Sequence, residues 1–265
     1  MTQNPVTNVV IKRDRMIVLA GLTAVTLATG IYTVYMAQTY GRMPATALHQ
    51  HDHIGQRSDS FLMLLTMWTV MMIAMMSPTA VPMVLMHTKV ERHRHPEQTP
   101  FIPTTLFFMG YILVWMAFSV VLTLGQTFLQ FTAMLSPKMA SSSPWLAGGI
   151  LIAAGLFQFS KLKEACLSQC RSPVTYFMLE WREGNIGALR MGVKHGVYCV
   201  GCCWILMTLL FVAGVMNLLW MALITAFVLA EKVVPRGDLI VRLAGIGMIV
   251  WGIGLIVMTM VKVPF

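Results

Sequence analysis

Residues 197–233 read VYCVGCCWILMTLLFVAGVMNLLWMALITAFVLAEKV, and the only charged side chains, Glu231 and Lys232, come at the far end. As one helix this stretch would run ~55 Å at 1.5 Å per residue, against a hydrocarbon core of ~30 Å. It therefore reads as two short legs that reverse near Asn217, a helical hairpin in a membrane. Further apolar windows lie on both sides of it. They cover 16–37, 61–87, 102–125, 142–160 and 239–261, and the hairpin divides into 197–216 and 218–233. The expected fold is all-α: one integral domain over 1–265, a polytopic transmembrane bundle of about seven spans.

Composition agrees. Of the 265 residues 57% are apolar and 11% charged, and mean hydropathy is +0.72. A soluble domain carries about a quarter charged residues. An ordinary soluble enzyme, a disordered tail and a coiled coil are excluded. Lys12, Arg13 and Arg15 precede the first window in the manner of a signal peptide, but 16–37 is too long for its apolar core and reads as a retained span.

The formal charge of +9 is a matter of sidedness. With the N-terminus inside, only Arg42, Arg57, Lys138 and Lys262 of the nineteen Lys and Arg fall outside, and fifteen fall inside. Basic residues favour the cytoplasmic side. The expectation is a multi-pass protein of the bacterial inner membrane with the N-terminus inside and the C-terminus outside. Its basic face would meet anionic lipid, not nucleic acid.

All five cysteines lie within residues 166–203. Cys166 and Cys170 are four apart, in an expected cytoplasmic loop over 161–196. His195, Cys199 and Cys203 recur every four residues and share one helix face, with Cys202 beside it. If the chain reverses between the two groups, up to five thiols and an imidazole reach one centre. Such soft ligands suit Cu(I), ahead of zinc or an iron–sulfur cluster. Cys166, Cys170, Cys199 and Cys203 form the expected core, with Lys163, Arg171 and Lys194 near enough to balance thiolate charge. A membrane redox enzyme or subunit, in which the cysteines or their metal pass electrons to a quinone or partner, remains open on spacing alone, as do a thiol–disulfide relay and plain packing or palmitoylation.

Several quoted motifs also resemble a known family. They are Trp68…Met71…Ala74-Met75-Met76…Pro78, Lys163-x2-Cys166-x3-Cys170-Arg171-Ser172-Pro173 and His195-Gly196-x-Tyr198-Cys199-x-Gly201-Cys202-Cys203-Trp204. Gly214-x-Met216-Asn217-x2-Trp220-Met221 and Glu231-Lys232-x2-Pro235 continue the pattern. Over 60–236 the chain resembles the predicted metal-binding integral membrane proteins, a bacterial domain of unknown function. The resemblance implies metal binding and names no reaction.

Other features are secondary. Met72, Met75 and Met76 close the inner half of a methionine-rich span, where thioethers could pass Cu(I) along. In most of that span methionine serves as flexible packing. His49, His51 and His53 alternate in the first outer loop and would face one side of an extended segment, a possible accessory site for metal. His93 and His95 read as a solvated face, and His87 carries no signal. Glu231 and Lys232 either pair together or serve a neighbour near the cysteines. Residues 173–191 read as an interfacial cover. No phosphate loop, dinucleotide fingerprint or nucleophile elbow is present, which argues against an enzyme. The expected role is metal handling or delivery, with a membrane protein or metallochaperone as partner.

Overall fold

The structure, a computed structural model, describes residues 5–42, 56–132, 143–234 and 237–262. Among these, every regular element is a helix: α1 (Pro5–Arg42), α2 (Gln56–Arg94), α3 (Phe101–Phe131), α4 (Pro144–Phe157), α5 (Lys161–Arg171), α6 (Pro173–Glu180), α7 (Gly184–Thr208), α8 (Leu210–Ala213), α9 (Leu218–Val233) and α10 (Gly237–Lys262). Five are long and apolar enough to cross a membrane, or six if α4 and α5, bent by 64°, form one span. That falls below the seven windows. The difference lies at α9, whose sixteen residues extend only ~24 Å.

The hairpin forms where expected. Gly214 adopts φ 98°, a left-handed conformation that suits glycine, and the chain reverses there. Asn217 caps α9, its side chain accepting from the Trp220 N–H at 3.3 Å.

The stretch 161–196 is largely helical. Ser160 caps α5 by accepting from the Lys163 N–H, α6 follows after one residue, and α7 begins at Gly184. Only the first half of 173–191 is therefore a separate cover. α6 buries Tyr176 and Phe177, whereas residues 184–191 are already the first turns of α7.

The tightest helix pair is α3 with α7. A Cβ on Gly192 would strike the Phe107 carbonyl, and one on Gly110 would meet the backbone at Leu189 and Val193. This close approach brings Tyr111 of α3 against Cys199 of α7. Gly148 and Gly252 let α4 and α10 meet in the same way, while Gly149, Gly247 and Gly254 face open space. In α2, Pro78 and Pro82 lie inside an unbroken helix. Ser77 Oγ donates to the Ile73 carbonyl at 2.6 Å and Thr79 Oγ1 to that of Met76 at 2.9 Å. The carbonyls that lose a proline N–H are those of Ala74 and Pro78, and these hydroxyls bond neighbouring carbonyls in the same turns.

Candidate metal centre

α5 packs against α7, so the two cysteine groups meet. Cys170, Cys199, Cys202 and Cys203 are all buried. The thiols of Cys170 and Cys203 lie close enough to Cys199 and Cys202 to interact with them electrostatically. All five cysteines are free thiols. Cys166 stands apart. It is half-buried and occupies a niche over Gly201, where a Cβ would come within 2.7 Å of its sulfur. The inner quartet therefore contains Cys202 in place of Cys166.

Cys199 is the hub. Lys232 Nζ donates to its Sγ at 2.9 Å, and the Tyr111 hydroxyl lies 3.2 Å from it. Lys232 also donates to Thr79 Oγ1 at 3.1 Å, and Tyr111 donates to the Met76 carbonyl at 3.1 Å. Cys202 and Cys203 donate to the Cys199 carbonyl at 3.0 and 2.9 Å. Three helices (α3, α7 and α9) thus meet at one sulfur, and α2 supports Lys232 and Tyr111 through Thr79 and the Met76 carbonyl. Lys232 is 8% exposed, and its ammonium is available to balance a buried thiolate.

The cations expected from sequence are engaged elsewhere. Lys163 donates to both carboxylate oxygens of Glu231 at 2.8 and 2.9 Å. Arg171 pairs with Asp238 and donates to the Glu231 carbonyl at 2.7 Å. Lys194 pairs with Glu180 at 2.6 Å. Glu231 thus serves a basic neighbour, and Lys232 is free for Cys199.

His195 lies one turn before Cys199 and is 1% exposed, with neither ring nitrogen hydrogen-bonded. Its ring stacks on Tyr111 at 5.5 Å and on Phe107 at 6.0 Å. A buried polar group left without a partner costs about 1–3 kcal/mol, so these nitrogens suit a ligand's approach. His87, without signal in the sequence, stacks on the other side of Phe107 at 4.9 Å. It meets Thr104 through Nδ1 at 3.2 Å and leaves Nε2 unpartnered. Met72, Met75 and Met76 are buried in the same core as the cysteines. His49, His51 and His53 lie outside the described residues.

At the surface, Glu183 joins the end of α2 to the start of α7. It meets His95 at 3.1 Å and Arg94 at 2.8 Å. The His95 hydrogen bond, with those from Trp181 and Arg94, holds the Glu183 carboxyl below the usual carboxylate range.

Among the described residues, no three or more His, Cys, Asp or Glu side chains form a ready coordination shell. The hydrogen bonds account for this. Cys202 and Cys203 direct their thiols at a backbone carbonyl, so either must lose its proton and turn before it can ligate. The donor set itself, four buried thiols and an open imidazole, fits a soft monovalent ion.

Tyr111 and Thr79 were not singled out from the sequence. Each lies in an apolar helix with ordinary spacing, and no local pattern distinguishes it. The pairing Glu231-Lys232 was a signal, because ionisable residues within apolar spans default to function.

No curated protein and no solved structure shows detectable similarity to the chain. Residues 65–255 match the family described as copper chaperone, PpoB2. The match spans well over half of the chain, includes all five cysteines and Lys232, and extends beyond 60–236 into α10. With several candidate membrane helices and this match, the chain belongs to the PpoB2 copper chaperone family.

Proposed function

We propose that the chain takes Cu(I) as cargo at the thiols around Cys199 and passes it to a membrane protein or metallochaperone. The carrying observation is the convergence of Cys170, Cys199, Cys202 and Cys203 beside the Lys232 ammonium. Cu(I) is content with two or three sulfurs. A bis-thiolate complex carries one negative charge, which the single Lys232 cation neutralises. A larger divalent charge on four thiolates would leave more negative charge in the same dry surroundings.

Surplus ligands favour transfer. With more sulfurs than the ion needs, one can dissociate as another binds, so the ion never loses all its partners. Cys166, the most accessible thiol, is suited to receive or release copper at the surface. His195 supplies a neutral donor next to the hub. Met72, Met75 and Met76 offer thioethers along α2, and His49, His51 and His53 would gather metal on the opposite side. The basic-residue bias supports a bacterial inner membrane with the N-terminus inside and the sulfur cluster near the cytoplasmic face.

The test is anaerobic titration of the full-length protein in detergent with Cu(I), against a chromogenic chelator of known affinity. One tightly held Cu(I) per chain is expected. Cys199→Ser should weaken it more than tenfold, and Cys170→Ser by a similar amount, since both belong to the quartet. Copper bound equally well by wild type and both variants would sink the reading. Reversible oxidation of the thiols by a quinone, with no copper held, would favour the redox alternative.

A further inference from the structure

A cavity of about 580 Å³ lies between the α4–α5 bend and the start of α10. Its wall includes Gln158, Ser160, Lys163, Arg171, Asp238 and Arg242. It is separate from the copper site: α5 turns Cys166 and Cys170 toward α7 and turns Glu164, Ser168 and Arg171 toward this cavity.

Two polar side chains in its wall are unfinished. Gln158 is 4% exposed, and neither its Nε2 nor its Oε1 has a hydrogen-bond partner. Arg171 uses Nε on the Glu231 carbonyl and Nη1 on Asp238, while its Nη2 is buried without a partner. Leaving such groups dry costs free energy unless something fills the space. The orphaned nitrogens are donors set just behind the cavity surface, Arg171 Nη2 against Gly237, and call for an acceptor. Two helices also begin here, α5 after Ser160 and α10 at Gly237. The dipoles at these two starts favour an anion, while the Lys163 N–H already donates to Ser160 Oγ and the Gly237 N–H to the Val234 carbonyl.

The charges agree. Lys163, Arg171 and Arg242 line the space against Glu164 and Asp238. The carboxylate of Asp238 pairs with Arg171 and also feels the charge of Arg242. We propose that this cavity binds a phosphate group, held by Gln158, Arg171, Arg242 and the two helix starts. The volume is in the range of small-molecule sites and far exceeds the needs of a bare ion. The Gln158 Oε1 can accept from a hydroxyl beside the phosphate. The site lies at the ends of the apolar stretches in α4 and α10, where a spanning helix meets headgroups. An anionic phospholipid with a hydroxylated headgroup meets each of these conditions, and free inorganic phosphate shares the same central chemistry.

The test uses full-length protein purified in a neutral maltoside without phosphate. Native mass spectrometry and thermal unfolding are followed with added phosphatidylglycerol, phosphatidylcholine or inorganic phosphate. Phosphatidylglycerol should remain bound and raise the Tm in a saturable way, with phosphatidylcholine weaker. Gln158→Leu and Arg242→Gln should each weaken that binding roughly tenfold, the loss of one good hydrogen bond to a charged group. Both should load Cu(I) as wild type does, which shows that they fold. Gln158→Leu should also raise the Tm of the lipid-free protein, since it removes an unpaired amide. Inorganic phosphate giving the same protection, lost in the same variants, would assign the site to the free ion. Wild-type binding in both variants, or no effect of either phosphate source, overturns the proposal.

Discussion

Glu231 and Lys232 are neighbours at the end of α9, and they have opposite fates. Glu231 is closed: Lys163 meets both its oxygens, and the pair is shielded from solvent. Lys232 is open-ended, with Cys199 and Thr79 as partners and no carboxylate. One residue balances a fixed charge, which is structural. The next faces a thiol, whose charge depends on its protonation or ligation. A buried cation beside polarisable thiols is tolerable because a thiolate or a copper–thiolate complex can answer it, whereas the carboxylate pair is stable unaided.

That contrast can be broken from either side. Glu231→Gln leaves Lys163 buried with no counter-charge, and losing one member of such a pair costs about 3–5 kcal/mol. A large fall in Tm is expected in detergent, with or without copper. Unchanged thermal stability would show that the pair is not the clamp described here. Lys232→Met should act differently. It preserves much of the stem's packing and removes the cation, so the main loss should be in Cu(I) affinity. About 2 kcal/mol, roughly thirtyfold, is the expected size, read by chelator competition. If Lys232→Met lowers Tm as much as Glu231→Gln and leaves copper affinity intact, the two residues are equivalent and the contrast fails. Gly201→Ala sharpens the distinction between Cys166 and the inner quartet. The added methyl displaces the Cys166 sulfur, so the rate of copper transfer to an external chelator should fall several-fold. Equilibrium affinity should shift by less than about 1 kcal/mol, since an exposed-edge thiol can turn aside. An equal loss in both would place Cys166 among the holding ligands.

Much was legible before any coordinates. The helical spacing of His195, Cys199 and Cys203 survives, because i, i+4 neighbours in a helix must share a face. The reversal at Gly214–Asn217 follows from an apolar stretch too long to cross once. The choice among the cysteines was less legible. Cys166 and Cys170 share a face by spacing, yet only Cys170 enters the quartet, because α5 crosses α7 at Gly201 and places Cys166 at the edge. The loop expected over 161–196 is helical, since Ser160 and Pro173 start two short helices that a hydropathy window is too coarse to separate. The expected cations were near in sequence but engaged in space, and His87 had no periodic signal.

The order of residues alone determined that this chain is helical, apolar and rich in thiols over 166–203, and the match to copper chaperones rests on that order too. Those properties are local: they follow from hydropathy summed over a span and from the 3.6-residue turn. Only the tertiary structure decided that Lys232, 33 residues beyond Cys199, would supply the hub's cation, with Tyr111 and Thr79 beside it. Such a contact depends on how closely α3 approaches α7 and where α9 ends against them. Close packing of several helices at once settles those distances, and no window along a single helix contains them.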